Sequence, residues 1–397
     1  MQLHNHSSAH LTYCLNVHPG ETLGDVFAAI RGHAVPIREL VAPGQRFGLG
    51  LRIAGAASQE LEAADRMAEL QALLAEQNLY AFTINGFPFG TFHGARVKEQ
   101  VYHPDWRTDE RREYTCRLAR QLAALLPAGL TGSISTVPGS YKAWIRSAGD
   151  VAAMAGQLAA AAAFLSRLHR ETGREIHLGL EPEPDCFLET TAEATAFFCE
   201  QLLPQGRARV AGLLGCTPTA AEAIIRRHIG ICFDTCHLAL QFEDLVASLR
   251  QLADAGIRIS KMQISAALAA RGDLAAAEAL RPFCDPVYLH QVKARAGGRV
   301  VSRGDLADAL AALPELAVEE WRVHFHVPLY FVPDGLLAST ADQLTPAFFR
   351  AAAELGVEHF EIETYTFDVL PEILRRRGVD RSVADEYGWV LFRFPKV

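Results

Sequence analysis

Short apolar runs alternate with long amphipathic stretches along this chain. The runs are Leu11–Leu15, Phe47–Ile53, Tyr80–Ile84, Ser133–Val137, Ile176–Leu180, Ile229–Phe233, Ile257–Ile264 and Phe360–Thr364. The stretches between them include Gln59–Gln77, Asp109–Leu126, Asp150–Thr172, Ala192–Leu203, Phe242–Ala255 and Pro346–Leu355, and they read as helices. Strand, loop and helix in repetition predict a parallel sheet with crossover helices. Eight such units favour closure into a (β/α)8 TIM barrel over an open doubly wound sheet. The open sheet would bring a glycine-rich phosphate loop after an early strand, but Gly48 and Gly50 lie inside an apolar run rather than at a helix start.

Two regions break the alternation. Extra helical sequence lies between Pro204 and His228. A longer insertion, about 266–328, carries two further strand-like runs, Val287–Ala294 and Trp321–Pro328. The second run is expected near the barrel mouth, or is itself a barrel strand. No internal repeat and no Pro-, Gly- or Ser-rich linker is visible, so residues 1–397 are expected to form a single barrel domain.

Composition changes this picture little. Of 397 residues, 50% are hydrophobic and 21% charged, which suits a large core. The net charge of −8 argues against a nucleic-acid surface. Met1 to His10 is polar and His-rich, with no apolar signal core. No unbroken apolar stretch reaches the ~18 residues of a membrane span, and the run Leu158–Leu165 reads as a buried helix face. The chain has 8 cysteines and no CxxC pair, a usage that fits reduced thiols in the cytoplasm.

Candidate chemistry gathers where the strands end, which in a barrel is the functional face. Ile176–Leu180 runs directly into Glu181, Pro182 and Glu183, with Glu189 following. Ile229–Phe233 ends in Asp234, Thr235, Cys236 and His237, and carboxylate plus neutral imidazole suits Zn²⁺ or Mn²⁺, with Mg²⁺ or Co²⁺ also possible. Lys261 and Gln263 share one face of the seventh run, either as an oxygen ligand at Gln263 or as a polar layer inside the barrel. His324 and His326 share a face of Trp321–Pro328, and His326 is a candidate ligand or substrate contact. Glu361 and Glu363 share a face of the last run, and inward carboxylates without a cation are costly. After the third run, Asn85 to Phe89 form a turn-rich aromatic loop, followed by His93, Lys98 and Tyr102. Polar groups mixed with aromatics suit a polyol or cyclic substrate, and Asn85, His93, Lys98, Tyr102 and His237 are the candidate substrate contacts. For each of these residues a packing, capping or solvent-facing role is the competing reading.

These residues resemble the xylose-isomerase-like superfamily, which includes sugar isomerases and epimerases and the endonuclease IV type of repair nuclease. The resemblance implies a metal held by Glu, Asp, His and Glu from the last four strands. The matching positions are Glu181 in Leu180-Glu181-Pro182, Asp234 in Phe233-Asp234-Thr235-Cys236-His237, and Glu363. Gln263 stands where the family usually has His, and His326 would supply the missing imidazole. Leu11 to Gly20, Thr83 to Gly90, Val97 to Tyr102 and Glu363 to Pro371 also resemble the metabolite traffic protein EboE family. Its operon neighbours resemble a prenyltransferase, a dehydroquinate-synthase-like cyclase and a TatD-like hydrolase. That resemblance implies a cytoplasmic role on a small metabolite, with proteins of the same operon as partners and without membrane insertion.

Three functions follow as expectations. The first is a divalent-metal-dependent isomerase or epimerase on a sugar- or cyclitol-like metabolite, with Glu181 removing a proton beside a carbonyl and Glu363 returning it on the other face. The second is a non-catalytic metabolite carrier on the same barrel. The third is an endonuclease IV-like phosphodiester hydrolase, disfavoured by the acidic charge.

Overall fold

The computed structural model describes residues 1–3, 8–92, 98–311 and 318–395. Seven parallel strands come first: β1 (His10–Tyr13), β2 (Phe47–Arg52), β3 (Leu79–Asn85), β4 (Gly132–Thr136), β5 (Ile176–Leu180), β6 (Ile229–Asp234) and β7 (Arg258–Ile264). An inserted antiparallel sheet follows, made of β8 (Ala267–Arg271), β9 (Val292–Ala296), β10 (Arg299–Arg303), β11 (Glu320–His326) and β12 (Leu337–Ser339). The chain then returns through the helix Pro346–Glu354 to β13 (His359–Ile362).

β1 to β7 and β13 form one parallel sheet in the order β1-β13-β7-β6-β5-β4-β3-β2. A parallel bridge between Cys14, just past β1, and Gly50 on β2 brings the two ends together. The fold is therefore the expected (β/α)8 barrel. Its strands are legible as unbroken apolar runs because both of their faces are buried: one packs into the barrel, the other against the helices.

The helices start where side chains satisfy their free N–H groups. Thr22, Ser147 and Thr190 each form a reciprocal capping box with an acidic residue three positions on. Ala148–Thr172 ends at Gly173 in the left-handed conformation, φ 68°. This helix is long and apolar enough, by composition, to cross a membrane, but 56% of its most apolar window is buried inside the molecule. The run Leu158–Leu165 is part of that buried face.

Several expected boundaries change. The expected helix Gln59–Gln77 is two helices, Gly55–Glu60 and Ala64–Glu76, separated by a turn in which Glu62 and Ala63 donate to carbonyls three residues back. Ala192–Leu203 is the first half of a helical rod that continues through a π-turn to Leu214. Trp321–Pro328 is not a barrel strand. As β11 it pairs antiparallel with β8 and β9 in the inserted sheet. Val287–Ala294 becomes strand only from Val292, because Asp285 accepts from the Val287 and Tyr288 amides (2.7 and 3.3 Å) and holds the segment in a turn. The insertion runs past 328, since β12 pairs with β8.

Candidate metal centre

Glu181 follows β5 directly and its amide donates to Thr136 O, so its side chain is fixed by the sheet. Asp234 is the last residue of β6 and the N-cap of the helix Thr235–Leu240. Its Oδ1 accepts from the His237 amide (3.0 Å) and from Ser265 Oγ (2.8 Å), while its Oδ2 is buried without a partner. Glu181 Oε2 is likewise buried and unpartnered. The cap therefore orients Asp234 and leaves its second oxygen free to ligate.

Three imidazoles face these carboxylates, each fixed through Nδ1. His237 Nδ1 donates to Pro182 O (3.0 Å), His324 Nδ1 to Gln291 Oε1 (2.7 Å) and His326 Nδ1 to Glu363 O (2.7 Å). A carbonyl can only accept, so each ring is the Nδ1–H tautomer and presents a lone pair at Nε2. Nε2 of His324 and of His326 are buried without partners. Burial keeps all three rings neutral: it lowers His237, takes His324 well below the ordinary value, and brings His326 to about 4. Neutral rings are the ligating form.

Ligand atoms of Glu181, Asp234 and His237 lie within 4.8 Å of one another, as do those of His237, His324 and His326, and those of Asp234, Cys236 and His326. The donor set and its orphaned buried atoms fit a divalent cation, and N/O ligands of this kind suit Zn²⁺ or Mn²⁺.

Glu363, just past β13, accepts at Oε1 from Asn16 Nδ2 (2.7 Å) and Asn85 Nδ2 (3.0 Å). Burial first, then the nearby carboxylates, raises both Glu181 and Glu363 well above the usual carboxylate range. Burial pushes Asp234 up, but the hydrogen bonds from the His237 amide and Ser265 Oγ favour the carboxylate, and it lies below its ordinary value. Gln263 stands in register with Asp234 and Glu361. Its amide oxygen accepts from the Cys232 thiol (3.0 Å), and its Nε2 has no partner. The Lys261 ammonium lies 2.5 Å from Glu361 Oε2, so Glu361 has its own buried counter-ion while Glu363 faces the cluster.

A cavity opens over this cluster. Glu181 and Glu363 line it together with Asn85, Lys98, Tyr102 and His237, so these sequence candidates share one space. Lys98 is ion-paired with Asp305 from the insertion. Tyr102 donates to Glu183 Oε1 (3.0 Å), whose carboxyl burial raises to about 8. His93 lies outside the described residues. Glu189 stands apart from the site: it binds Lys293 and Lys142, which hold it at about 2 against the effect of burial.

Sequence reasoning did not single out Asn16, Ser265, Gln291, Tyr288 or Tyr365, all of which hold or line the site. Asn16 directly follows the first apolar run, Leu11–Leu15. Ser265 directly follows the seventh.

No protein-family model matches this chain, and no curated protein matches it. Among solved structures the chain is similar to an IOLI protein with a binding zinc atom, at 11% identity and a TM-score of 0.47, covering 98% of this chain and 100% of that one. It is also similar to the probable 3-DHS dehydratase AsbF of Bacillus anthracis (13% identity, TM-score 0.41, covering 96% and 97%). A xylose isomerase domain protein from Alicyclobacillus acidocaldarius matches at 14% identity and a TM-score of 0.44, covering 97% and 96%. Likeness at this level bears on neither the chemistry nor the family of this chain.

Proposed function

We propose that this barrel is a divalent-metal-dependent isomerase or epimerase of the xylose-isomerase-like kind, acting on a sugar- or cyclitol-like small metabolite. One observation carries the reading: Glu181, Asp234, His237, His324 and His326 form overlapping buried groups with ligand atoms close together beside a cavity, and Glu181, Asp234, His324 and His326 each have a buried atom without a partner. Groups of this kind cost free energy when left unsatisfied, and a cation removes that cost. Glu181, Asp234, His237, His324 and His326 would hold the cation, with Glu363 beside them. The cation would supply positive charge at a substrate carbonyl and so ease loss of the neighbouring C–H proton.

The protein's own carboxylates then do the proton work. Glu181 follows β5 and Glu363 follows β13, three strands apart around the barrel. They therefore approach a bound molecule from different sides. Burial and mutual repulsion keep a proton on this cluster, which suits one carboxyl as base and the other as acid. Asn16 and Asn85 fix the Glu363 carboxylate so that it can receive or return a proton from one position. Tyr102, in the cavity wall, faces the substrate.

The test has two stages. Plasma mass spectrometry of protein purified without chelator should find about one equivalent of Zn or Mn. Hydroxy-ketones and inososes incubated with that protein in D₂O should then take up deuterium at the carbon beside the carbonyl. Glu181→Gln should abolish the uptake while the substrate still binds. Unchanged uptake in that variant removes Glu181 from the proposed role. Tight metabolite binding with no exchange in the parent would favour the carrier reading, which draws support from Gln263 occupying the β7 position with its oxygen already engaged.

A further inference from the structure

The cavity is chemically two-ended. Its floor is the polar cluster. Its outer part is a wall of three rings from three separate elements: Phe92 from the segment after β3, Tyr288 from the insertion and Tyr365 after β13. Their centroids are 5.3, 5.5 and 5.4 Å apart, so the three form one mutually packed surface. Tyr365 also packs on His326 at 4.7 Å, which joins the wall directly to the cation cluster. Phe87, Val101 and Leu289 extend the apolar lining.

The charges in the cavity wall point the same way. Glu181, Glu183 and Glu363 are acidic, and among the described residues Lys98 is the one lysine or arginine in the lining. Its ammonium is taken by Asp305. A phosphorylated sugar would meet carboxylates and a neutralised lysine. A free sugar would lay hydroxyls against the three ring faces, and unpaired polar groups are costly where water is excluded.

We infer that the substrate is two-ended as well: a hydroxy-carbonyl head that reaches the polar floor, carrying an uncharged apolar ring or chain that lies against the Phe92–Tyr288–Tyr365 wall. This rests on the metal-dependent reading of the same site and narrows its substrate to a hydroxy-carbonyl compound that carries an apolar group, in place of a free sugar or cyclitol.

Three probes share or vary the head. Hydroxyacetone has the head alone, 2-hydroxyacetophenone adds a phenyl ring, and D-xylulose adds a polyol chain. Titration calorimetry on the Zn- or Mn-loaded protein should give a Kd for 2-hydroxyacetophenone roughly 10- to 100-fold below that of hydroxyacetone, the gain from burying one ring. D-Xylulose should gain nothing. Tyr288→Ser and, separately, Phe92→Ser should each shrink the phenyl advantage, with circular dichroism and metal content confirming that the variants fold. Equal affinities, tighter binding of D-xylulose, or a phenyl advantage indifferent to both variants would overturn the inference. Metal content is measured on the same samples. Protein that takes up the cation but does not discriminate defeats only this inference, while protein that takes up none defeats the metal reading whichever probe binds.

Discussion

Asp234→Asn separates the two tasks of one side chain. The asparagine keeps Oδ1, and with it the acceptor for the His237 amide and for Ser265 Oγ, so the cap of Thr235–Leu240 survives. A cap is worth about 1 kcal/mol, and that is the scale of change expected in protein stripped of metal. Loss of the negative charge beside Glu181 and Glu363 partly offsets even this. What the variant loses is the negative charge and Oδ2, the buried oxygen without a partner. At a cation concentration ~1,000 times its Kd, binding stabilises the native state by about 4 kcal/mol. With an unfolding entropy of about 2.1 cal/mol/K per residue, a chain of 397 residues would melt roughly 5 °C higher with the cation present. Scanning calorimetry with and without Zn²⁺ or Mn²⁺ should show that rise in the parent. The variant should show little of it, with the two metal-free melts within about 1–2 °C of each other. Equal rises in both proteins would remove Asp234 from the ligand set. A large drop in the metal-free variant would mean that the carboxylate serves the fold rather than the cation.

Three further outcomes are expected. Ser265→Ala removes a hydrogen bond to Asp234 and should weaken cation binding roughly 10- to 100-fold in competition with a chromophoric chelator; an unchanged affinity would show that the Asp234 carboxylate needs no such anchor. A Cβ at Gly50 would lie 2.0 Å from Glu361 Oε1 and 2.9 Å from the Tyr13 carbonyl, where the barrel closes. Gly50→Ala should therefore cost at least ~3 kcal/mol in urea unfolding, while Gly32→Ala, in open space, should be neutral or mildly stabilising. Burial raises the Glu386 carboxyl to about 7 from an ordinary 4.5, although Thr364 Oγ1 and the Leu329 amide donate to it. Such a group contributes stability that is complete below pH 4.5 and is lost as pH rises through 7. Glu386→Gln should therefore gain on the parent by about 3 kcal/mol between pH 4.5 and pH 8, and parallel stability curves would refute this.

The eight barrel strands could be read from sequence because a strand buried on both faces is an unbroken apolar run, bounded by loops. Glu181 and Asp234 could be read because each carboxylate comes directly after such a run. The inserted sheet was harder. β8 reads Ala-Leu-Ala-Ala-Arg, and alanine carries no strand preference, so its pairing with β11 comes from tertiary contact alone. β10 is a short, largely exposed edge strand without a periodic face. Tyr288 and Gln291 fall within a strand-like run that the Asp285 side chain folds into a turn. Their place in the site depends on where the insertion lands on the barrel, which no local pattern encodes.

The insertion also answers a problem of charge inside the barrel. Glu181, Asp234, Glu361 and Glu363 are all buried, and Lys261 is committed to Glu361. Three carboxylates are left with neutral imidazoles for company. An interior that only had to fold could fill this layer with apolar side chains at no loss of stability. Instead the chain leaves β7, builds a separate sheet, and returns His324 and His326 on β11, where Gln263 on the barrel itself has its oxygen turned to Cys232. Imidazoles beside these carboxylates cannot neutralise them, since burial keeps the rings uncharged. They only become useful neighbours if a cation sits between the two sets. On this account the inserted sheet would be half of a metal site rather than a decoration of the barrel, and its packing against the helix Thr235–Leu240 should tighten when the cation binds.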